Sequence, residues 1–398
     1  MSLDYGIFDC DTHCYEHLDA FTRYLPKEMM TRASIFPVRD PSGDLVVLAG
    51  GRVANFNSEQ HGLGLETSFR PGSLKEMLRT MSSGNPDEAY LPLPMEPEYT
   101  EREPRLASLA AQGVESCIMF PGSLALSAEG YVRDTEALYA NITSFNRWYD
   151  ETWGFNYQDK IYATALLSLR DLDLAVAETD RVLARGARVV LLPTGPAYGR
   201  SPGDPYFDPV WSRLAEAGVV VAFHIMPNWY HEAISPAWGL DPDTMAWRMS
   251  AWGWQNIYGD RPIMDTISAL IFDNLFGRFP SLKVVAAEHG AEWIPHFVKR
   301  LDKSRGMGRN GPWIGGKLTE RPSRIFQHHV RVTPYPEDNT PWIVEQLGTD
   351  ECLVMGSDYP HAEGAAQPAD FLDGLTALDA ASQRRIMRDN AHSMFAFA

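Results

Sequence analysis

The sequence predicts a (β/α)8 barrel, and three observations carry that prediction. Eight short apolar runs, rich in β-branched residues, alternate with helical patterns, as repeated β-α-β units do. Three of the runs end in residues of one chemical kind: Asp11 and His13 after the first, His224 after Val219–Phe223, and Asp358 after Cys352–Ser357. In a parallel barrel the C-terminal strand ends ring one face, and that face carries the chemistry.

The elements follow in order. Tyr5–Cys10 is the first strand. Glu115–Phe120 is the second, after a helix over Arg102–Gln112. Tyr162–Leu167 follows the long helix Thr135–Trp153, and Ala187–Leu192 follows Leu172–Ala184. Val219–His224 comes after Pro209–Ala217, and Lys283–Glu288 after Ile263–Phe279. His328–Val332 comes after Ala291–Lys303, and Cys352–Ser357 after Thr340–Leu347. Pro368–Leu378 and Ala381–Asp389 close the ring. A doubly wound open sheet is the competing fold. It needs a glycine fingerprint after the first strand, and Asp9–Glu16 contains no glycine.

All 398 residues are expected to form one domain with two long excursions. Residues 26–100 follow the first strand. They hold a hairpin of Leu45–Leu48 and Val53–Phe56, joined by Ala49-Gly50-Gly51-Arg52, and a Pro-rich stretch, Asn85–Glu98. Residues 225–262 follow the fifth strand and carry Trp229, Trp238, Trp247, Trp252 and Trp254. Long loops on this face serve as lids, substrate walls or subunit contacts. So many indoles need both burial and N–H partners, which favours a lid or an interface.

Composition narrows the class. Apolar residues make up 44%, enough for a full core, and the net charge is −17. Nucleic acid and anionic membranes both want basic surface, so neither is an expected partner. Four cysteines in a chain of this length make no disulfide framework. Neither a signal-peptide pattern nor an apolar run of membrane-spanning length is read, so the expected location is cytoplasmic.

Asp11 and His13 stand two apart, and positions i and i+2 of a strand face the same way. With His224 and Asp358 they form a mixed N/O set suited to a divalent metal. Glu16 is either a helix-start charge or a contact to a second ion or substrate amine. His361, three residues after Asp358, either orients that carboxylate, faces substrate or is a loop histidine. His328 and His329 adjoin on a strand, so only one faces inward. His296 and His392 read as structural. Cys10 and Cys14 read as buried, inert thiols. Glu288 is a partner behind the metal site or a plain strand-end group. Arg70 is a candidate clamp for a substrate carboxylate, and His231 and Trp229 are candidates for substrate contact.

Four motifs give the chain a family resemblance: Phe8-Asp9-Cys10-Asp11-Thr12-His13, Phe223-His224, Ala287-Glu288-His289-Gly290-Ala291-Glu292-Trp293-Ile294-Pro295, and Met355-Gly356-Ser357-Asp358-Tyr359-Pro360-His361. Asp389-Asn390-Ala391 fits the closing helix. The chain resembles the amidohydrolase superfamily, in the amidohydrolase-2 branch related to aminocarboxymuconate semialdehyde decarboxylase. The resemblance implies a (β/α)8 barrel, a divalent metal at the C-terminal face and frequent oligomers. It places Asp11, His13, His224 and Asp358 at ligand positions, and His289 at the catalytic or metal-adjacent position after strand six. The named decarboxylase has His-x-His where this chain has Asp11-x-His13. The extra carboxylate shifts preference from zinc toward manganese or iron.

The expected activity is cleavage of a C–C or C–N bond in a small carboxylate, by hydrolysis or non-oxidative decarboxylation. Asp358 moves the proton, and His289 stabilises charge on the reacting oxygen or shares the proton transfer. The competing readings are an O2-activating oxygenase, with Glu16, His289 and His361 as candidates around a second ion, and a non-catalytic barrel supporting a related subunit. A homo- or hetero-oligomer is expected in either case.

Overall fold

The computed structural model describes residues 3–32, 34–39, 41, 45–49, 52–53, 66–83, 93–226, 230–241, 250–256 and 259–395. Thirteen strands are present among them, in chain order. β1 is Ile7–His13. β2 (Ile35–Arg39), β3 (Leu45–Ala49) and β4 (Arg52–Val53) form a small antiparallel sheet. β5 (Thr67–Ser68) and β6 (Leu93–Pro94) form an antiparallel pair. The rest are β7 (Val114–Phe120), β8 (Ile161–Ala163), β9 (Ala165–Leu166), β10 (Val189–Leu191), β11 (Val220–His224), β12 (Lys283–Ala287) and β13 (Val330–Val332). These last strands and β1 make two parallel sheets, in the orders β1-β7-β8 and β13-β12-β11-β10-β9. The molecule is therefore α/β, with parallel strands separated by helices.

The strands are buried on both sides, as parallel strands between helices are. Helix Thr135–Thr152 shows how local chemistry supports this. Asp134 caps it, accepting from Ala137 N at 2.9 Å, and Leu138, Ile142, Phe145 and Tyr149 form its buried stripe. Asp171 caps helix Leu172–Ala184 in the same way.

The third expected run divides into β8 and β9 around Thr164. Asn146 is the reason, because its side chain bonds both the N–H and the C=O of Leu166 at 2.8 Å. Thr164 N still bonds Met119 O at 3.0 Å, and Leu167 N bonds Leu191 O at 2.9 Å. The eighth expected run, Cys352–Ser357, forms no regular ladder, yet its backbone reaches strands on either side. Val332 N bonds Cys352 O (2.8 Å), and Val354 N bonds Val332 O (3.0 Å). Cys10 N bonds Met355 O (2.9 Å), Asp358 N bonds Asp11 O (2.7 Å), and His13 N bonds Tyr359 O (2.7 Å). Met355 N turns away to Ile386 O at 2.9 Å, which interrupts the ladder.

Other boundaries shift for physical reasons. β1 runs three residues further than expected and contains Asp11 and His13. His328 and His329 are not on a strand. They end helix Pro322–His329, and His329 packs on Phe276 with its Nδ1 2.9 Å from Leu282 O. The expected helix Ile263–Phe279 is two helices, Asp260–Phe272 and Leu275–Arg278, broken at Asn274 by a left-handed backbone (φ 55°). In the first excursion, β3 pairs with Arg52–Val53 as the hairpin requires and also with β2, a strand not anticipated. Residues 54–56 and 85–92 lie outside the described residues. Trp238, Trp252 and Trp254 are exposed, contrary to the expected burial, with Trp238 and Trp252 packed edge to face. All four cysteines are free and buried, and burial pushes Cys117 and Cys352 up to about 12. No helix among the described residues is long and apolar enough to cross a membrane.

Candidate metal centre

The ends of β1, β11 and β12 and the segment from Asp358 to His361 bring six side chains together. The Nε2 atoms of His13 and His224 lie 3.1 Å apart. Asp11 Oδ1 is 3.5 Å from each. Asp358 Oδ1 is 3.3 Å from His13 Nε2, and Glu288 Oε2 is 3.1 Å from His224 Nε2. His361 Nδ1 holds Asp358 Oδ1 at 2.8 Å, and its ring stacks on His13 with centroids 4.0 Å apart.

The hydrogen bonds of the two rings define what they offer. His13 Nδ1 meets Pro121 O at 2.9 Å, and His224 Nδ1 meets Ile225 O at 2.7 Å. A carbonyl only accepts, so each Nδ1 carries the hydrogen and donates it. In the neutral rings both Nε2 atoms then point lone pairs at each other and at three carboxylates. Asp11 Oδ1 and Asp358 Oδ2 are buried and have no hydrogen-bond partner among the described residues. Such a set is stable only around positive charge. The donors fit a metal ion in spacing as well. Ligand bonds of about 2.0–2.2 Å put neighbouring donors about 2.8–3.6 Å apart, and the observed separations are 3.1–3.5 Å.

The electrostatics express the same demand for positive charge, which falls on His224. Burial, then the neighbouring His361, pushes His13 down to about 3, so its imidazole is neutral. Burial works against a charge on Asp11, yet the adjacent His13 and His224 imidazoles outweigh it and hold Asp11 below the usual carboxylate range. Burial likewise opposes charge on His224, but Asp11 and Glu288 outweigh it and raise that imidazole well above its ordinary value. Burial, reinforced by Glu288 and Glu363, lifts Asp358 well above the carboxylate range. Glu288 is raised by burial.

Backbone torsions aim these groups. Glu288 (φ 56°) and Asp358 (φ 54°) both adopt the left-handed conformation, uncommon outside glycine and concentrated at functional sites. Thr333 Oγ1 accepts from Glu288 N (3.0 Å), and Tyr335 Oη donates to Glu288 O (2.8 Å). Asp9, also buried, accepts from Asp11 N (3.1 Å) and Ser357 N (3.0 Å), joining the ligand strand to the segment before Asp358. Burial pushes Asp9 up to about 7. Arg105 is fully buried, donates to His13 O and lies over the Tyr359 ring at 5.1 Å.

Asp11, His13, His224, Asp358 and His361 thus come together. His289 is buried, with Nδ1 3.1 Å from Gly259 O and no hydrogen-bond partner for Nε2 among the described residues, and burial pushes it down to about 3. Glu16 is buried but bonds Ala125 N at 3.1 Å through Oε1. His231 is buried in the turn Tyr230–Ile234. Arg70 is exposed and pairs with Glu76. Trp229 lies outside the described residues. Glu288 is the group that sequence reasoning left undecided, and Asp9 and Arg105 were not anticipated. On a regular strand only one of Glu288 and His289 would face the site. The left-handed turn at Glu288 is what departs from that rule, and no sequence pattern announces it.

Known structures share this architecture. An amidohydrolase of Mycobacterium avium subsp. paratuberculosis K-10 is 33% identical, with TM-score 0.87, over 100% of this chain and 99% of that one. The 5-carboxyvanillate decarboxylase of Sphingomonas paucimobilis is 20% identical (TM-score 0.57; 74% of this chain, 83% of that one). A dihydroxybenzoic acid decarboxylase of Polaromonas sp. JS666, with bound manganese and the inhibitor 2-nitroresorcinol, is 18% identical (TM-score 0.55; 82% and 95%). No curated protein sequence matches the chain. The amidohydrolase family model spans residues 9–397, nearly the whole chain, and the protein therefore belongs to the amidohydrolase family, in its amidohydrolase-2 branch.

Proposed function

We propose that the protein is a metal-dependent enzyme that cleaves a C–C or C–N bond of a small carboxylate, with non-oxidative decarboxylation favoured over hydrolysis. The observation that carries the reading is the convergence of lone-pair donors on the space between His13 Nε2 and His224 Nε2. In this reading Asp11, His13, His224 and Asp358 hold one divalent cation, with Glu288 as a further ligand. The two sheets form one closed (β/α)8 barrel within a single domain. The bonds from 352–359 to both Val332 and β1, and those flanking Thr164, support closure. Among zinc, manganese and iron, a set this rich in carboxylate favours manganese or iron, and the Polaromonas relative holds manganese.

A bound cation would supply polarisation of substrate oxygens as a Lewis acid. The chain's own groups manage protons and orientation. The Asp358–His361 pair stands at the edge of the ligand cluster and holds a proton between Oδ1 and Nδ1. In decarboxylation Asp358 gives a proton to the substrate carbon bearing the carboxylate. The C–C bond then breaks, its electron pair returns to the protonated fragment, and CO2 leaves neutral. In hydrolysis the same carboxylate takes a proton from water and hands it to the leaving amine. His289 donates Nδ1–H to Gly259 O, so its neutral Nε2 accepts a hydrogen bond. It therefore suits a substrate hydroxyl, not the stabilisation of an oxyanion. Residues 93–100 and the loop after Asp358 form part of the substrate wall, supported by Tyr15 N to Tyr99 O (2.9 Å) and by Tyr359 bonded to Glu98.

The test is elemental analysis of unchelated protein, with CO2 release from small aromatic carboxylates, beginning with 5-carboxyvanillate and 2,6-dihydroxybenzoate. The expected result is about one metal per chain and turnover that falls about 10²–10⁴-fold in Asp358→Asn. Protein that neither carries nor takes up a metal would refute the reading.

A further inference from the structure

A second polar site lies in the segment 299–324. This segment holds eight Lys/Arg and two Asp/Glu, a local charge of +6 in a chain whose total is −17. Its residues line an open hollow of about 350 Å³ between the end of helix Ile294–Met307 and the loop that follows. Arg305, Arg309 and Lys317 line it, and none of them ion-pairs with a described carboxylate. Asp302 also lines the hollow, but Ser323 occupies both its oxygens, by N–H at 3.0 Å and Oγ–H at 2.8 Å. Trp313 forms a further wall.

One cation and the loop backbone are held in place. Arg305 Nη2 bonds Leu318 O at 3.0 Å, tying the helix to the loop. Asn274 Nδ2 bonds Gly315 O at 3.0 Å, and a Cβ at Gly315 would lie 1.7 Å from Asp273 O, so only glycine lets the loop sit this close. Arg305 by itself would be explained by the carbonyl end of its helix, which favours cations. Arg309 and Lys317 lie beyond that helix, so its carbonyl end does not account for them.

We propose that this hollow is an anion-binding site for a phosphate-class ligand, either free phosphate or the phosphate group of a larger molecule. The arginine guanidinium groups and the ammonium match phosphate oxygens, and the volume admits more than the phosphate itself. The site shares no lining residue with the metal centre and does not depend on the activity proposed above.

The experiment is calorimetric titration of the metal-loaded full chain with inorganic phosphate and, separately, with a phosphate monoester, each against sodium chloride at matched ionic strength. The variant is Arg309→Gln/Lys317→Gln, at two exposed positions outside the metal centre. Saturable binding that weakens about tenfold or more in the variant, with metal content unchanged, is the expected result. Tighter binding of the monoester identifies a larger ligand, and equal binding identifies the free ion. The proposal is overturned if neither probe binds beyond the salt control, or if the variant binds as tightly as the parent, which places phosphate elsewhere.

Discussion

Glu288 is the residue whose role is most sensitive to one torsion. Its left-handed backbone sends Oε2 to His224 Nε2 while the next residue, His289, stays buried with a free Nε2. Glu288→Gln is expected to weaken metal binding about 10–100-fold with the fold intact, measured by competition with a chelator. Unchanged affinity would remove Glu288 from the proposed ligand set. Glu16 gives a different prediction. Burial pushes its carboxyl up to about 7 from an ordinary 4.5, so the folded state binds the proton more tightly than the unfolded chain. The sign follows: stability falls as pH rises from about 4.5 to about 7 and is level in this contribution above that. Glu16→Gln should abolish that fall, a relative gain of about 3 kcal/mol at pH 8, read from denaturant midpoints at both ends of the window. If Glu16 instead binds a second ion, the variant loses metal and gains no stability.

At the scale of elements, the segment 352–359 does what a regular strand would do, through a changing set of partners. Its close approach to β1 depends on Gly356, where a Cβ would lie 2.7 Å from Asp11 Cβ and 2.8 Å from Thr333 Cγ2. Both neighbours are at the site: Asp11 carries a proposed ligand atom, and Thr333 holds Glu288 N. Gly356→Ala should therefore destabilise the protein by about 1–3 kcal/mol and also lower metal occupancy, since relief comes only by moving one of these residues. A thermal melt together with elemental analysis checks both. Loss of stability at full occupancy would show that the strain is relieved away from Asp11.

Across the whole molecule, the proposed ligands come from four separate stretches of chain: Asp11 and His13, His224, Glu288 and Asp358. A cation there links both parallel sheets to the segment between them. Removing it with a chelator should lower the melting temperature, corresponding to about 3–4 kcal/mol when the free metal exceeds its dissociation constant by about 100- to 1,000-fold. Protons compete for the same lone pairs, so the metal-dependent part of stability should be lost as pH falls through the imidazole and carboxylate range. A melting temperature indifferent to chelation across that range would argue against a bound ion in the folded protein.

Much of the architecture and the core of the site can be read from the chain itself. The β-branched runs and helical stripes are local patterns, and the Asp-x-His spacing, His224 and Asp358 each follow an apolar run, so period and position suffice to foresee that they meet. The runs at Tyr162–Leu167 and Cys352–Ser357 show the limit. Their apolar character marks them as inner segments, but the way they join the sheets depends on Asn146 bonding Leu166 and on Met355 N turning to Ile386 O. Those partners are distant in sequence, so no local pattern specifies them. Tertiary structure alone decided that Glu288 reaches His224, that Asp9 and Arg105 stand behind the ligand strand, and that three cations of 299–324 line one hollow. In each case the deciding quantity is a backbone torsion or a long-range packing distance, and these arise only once the chain is folded.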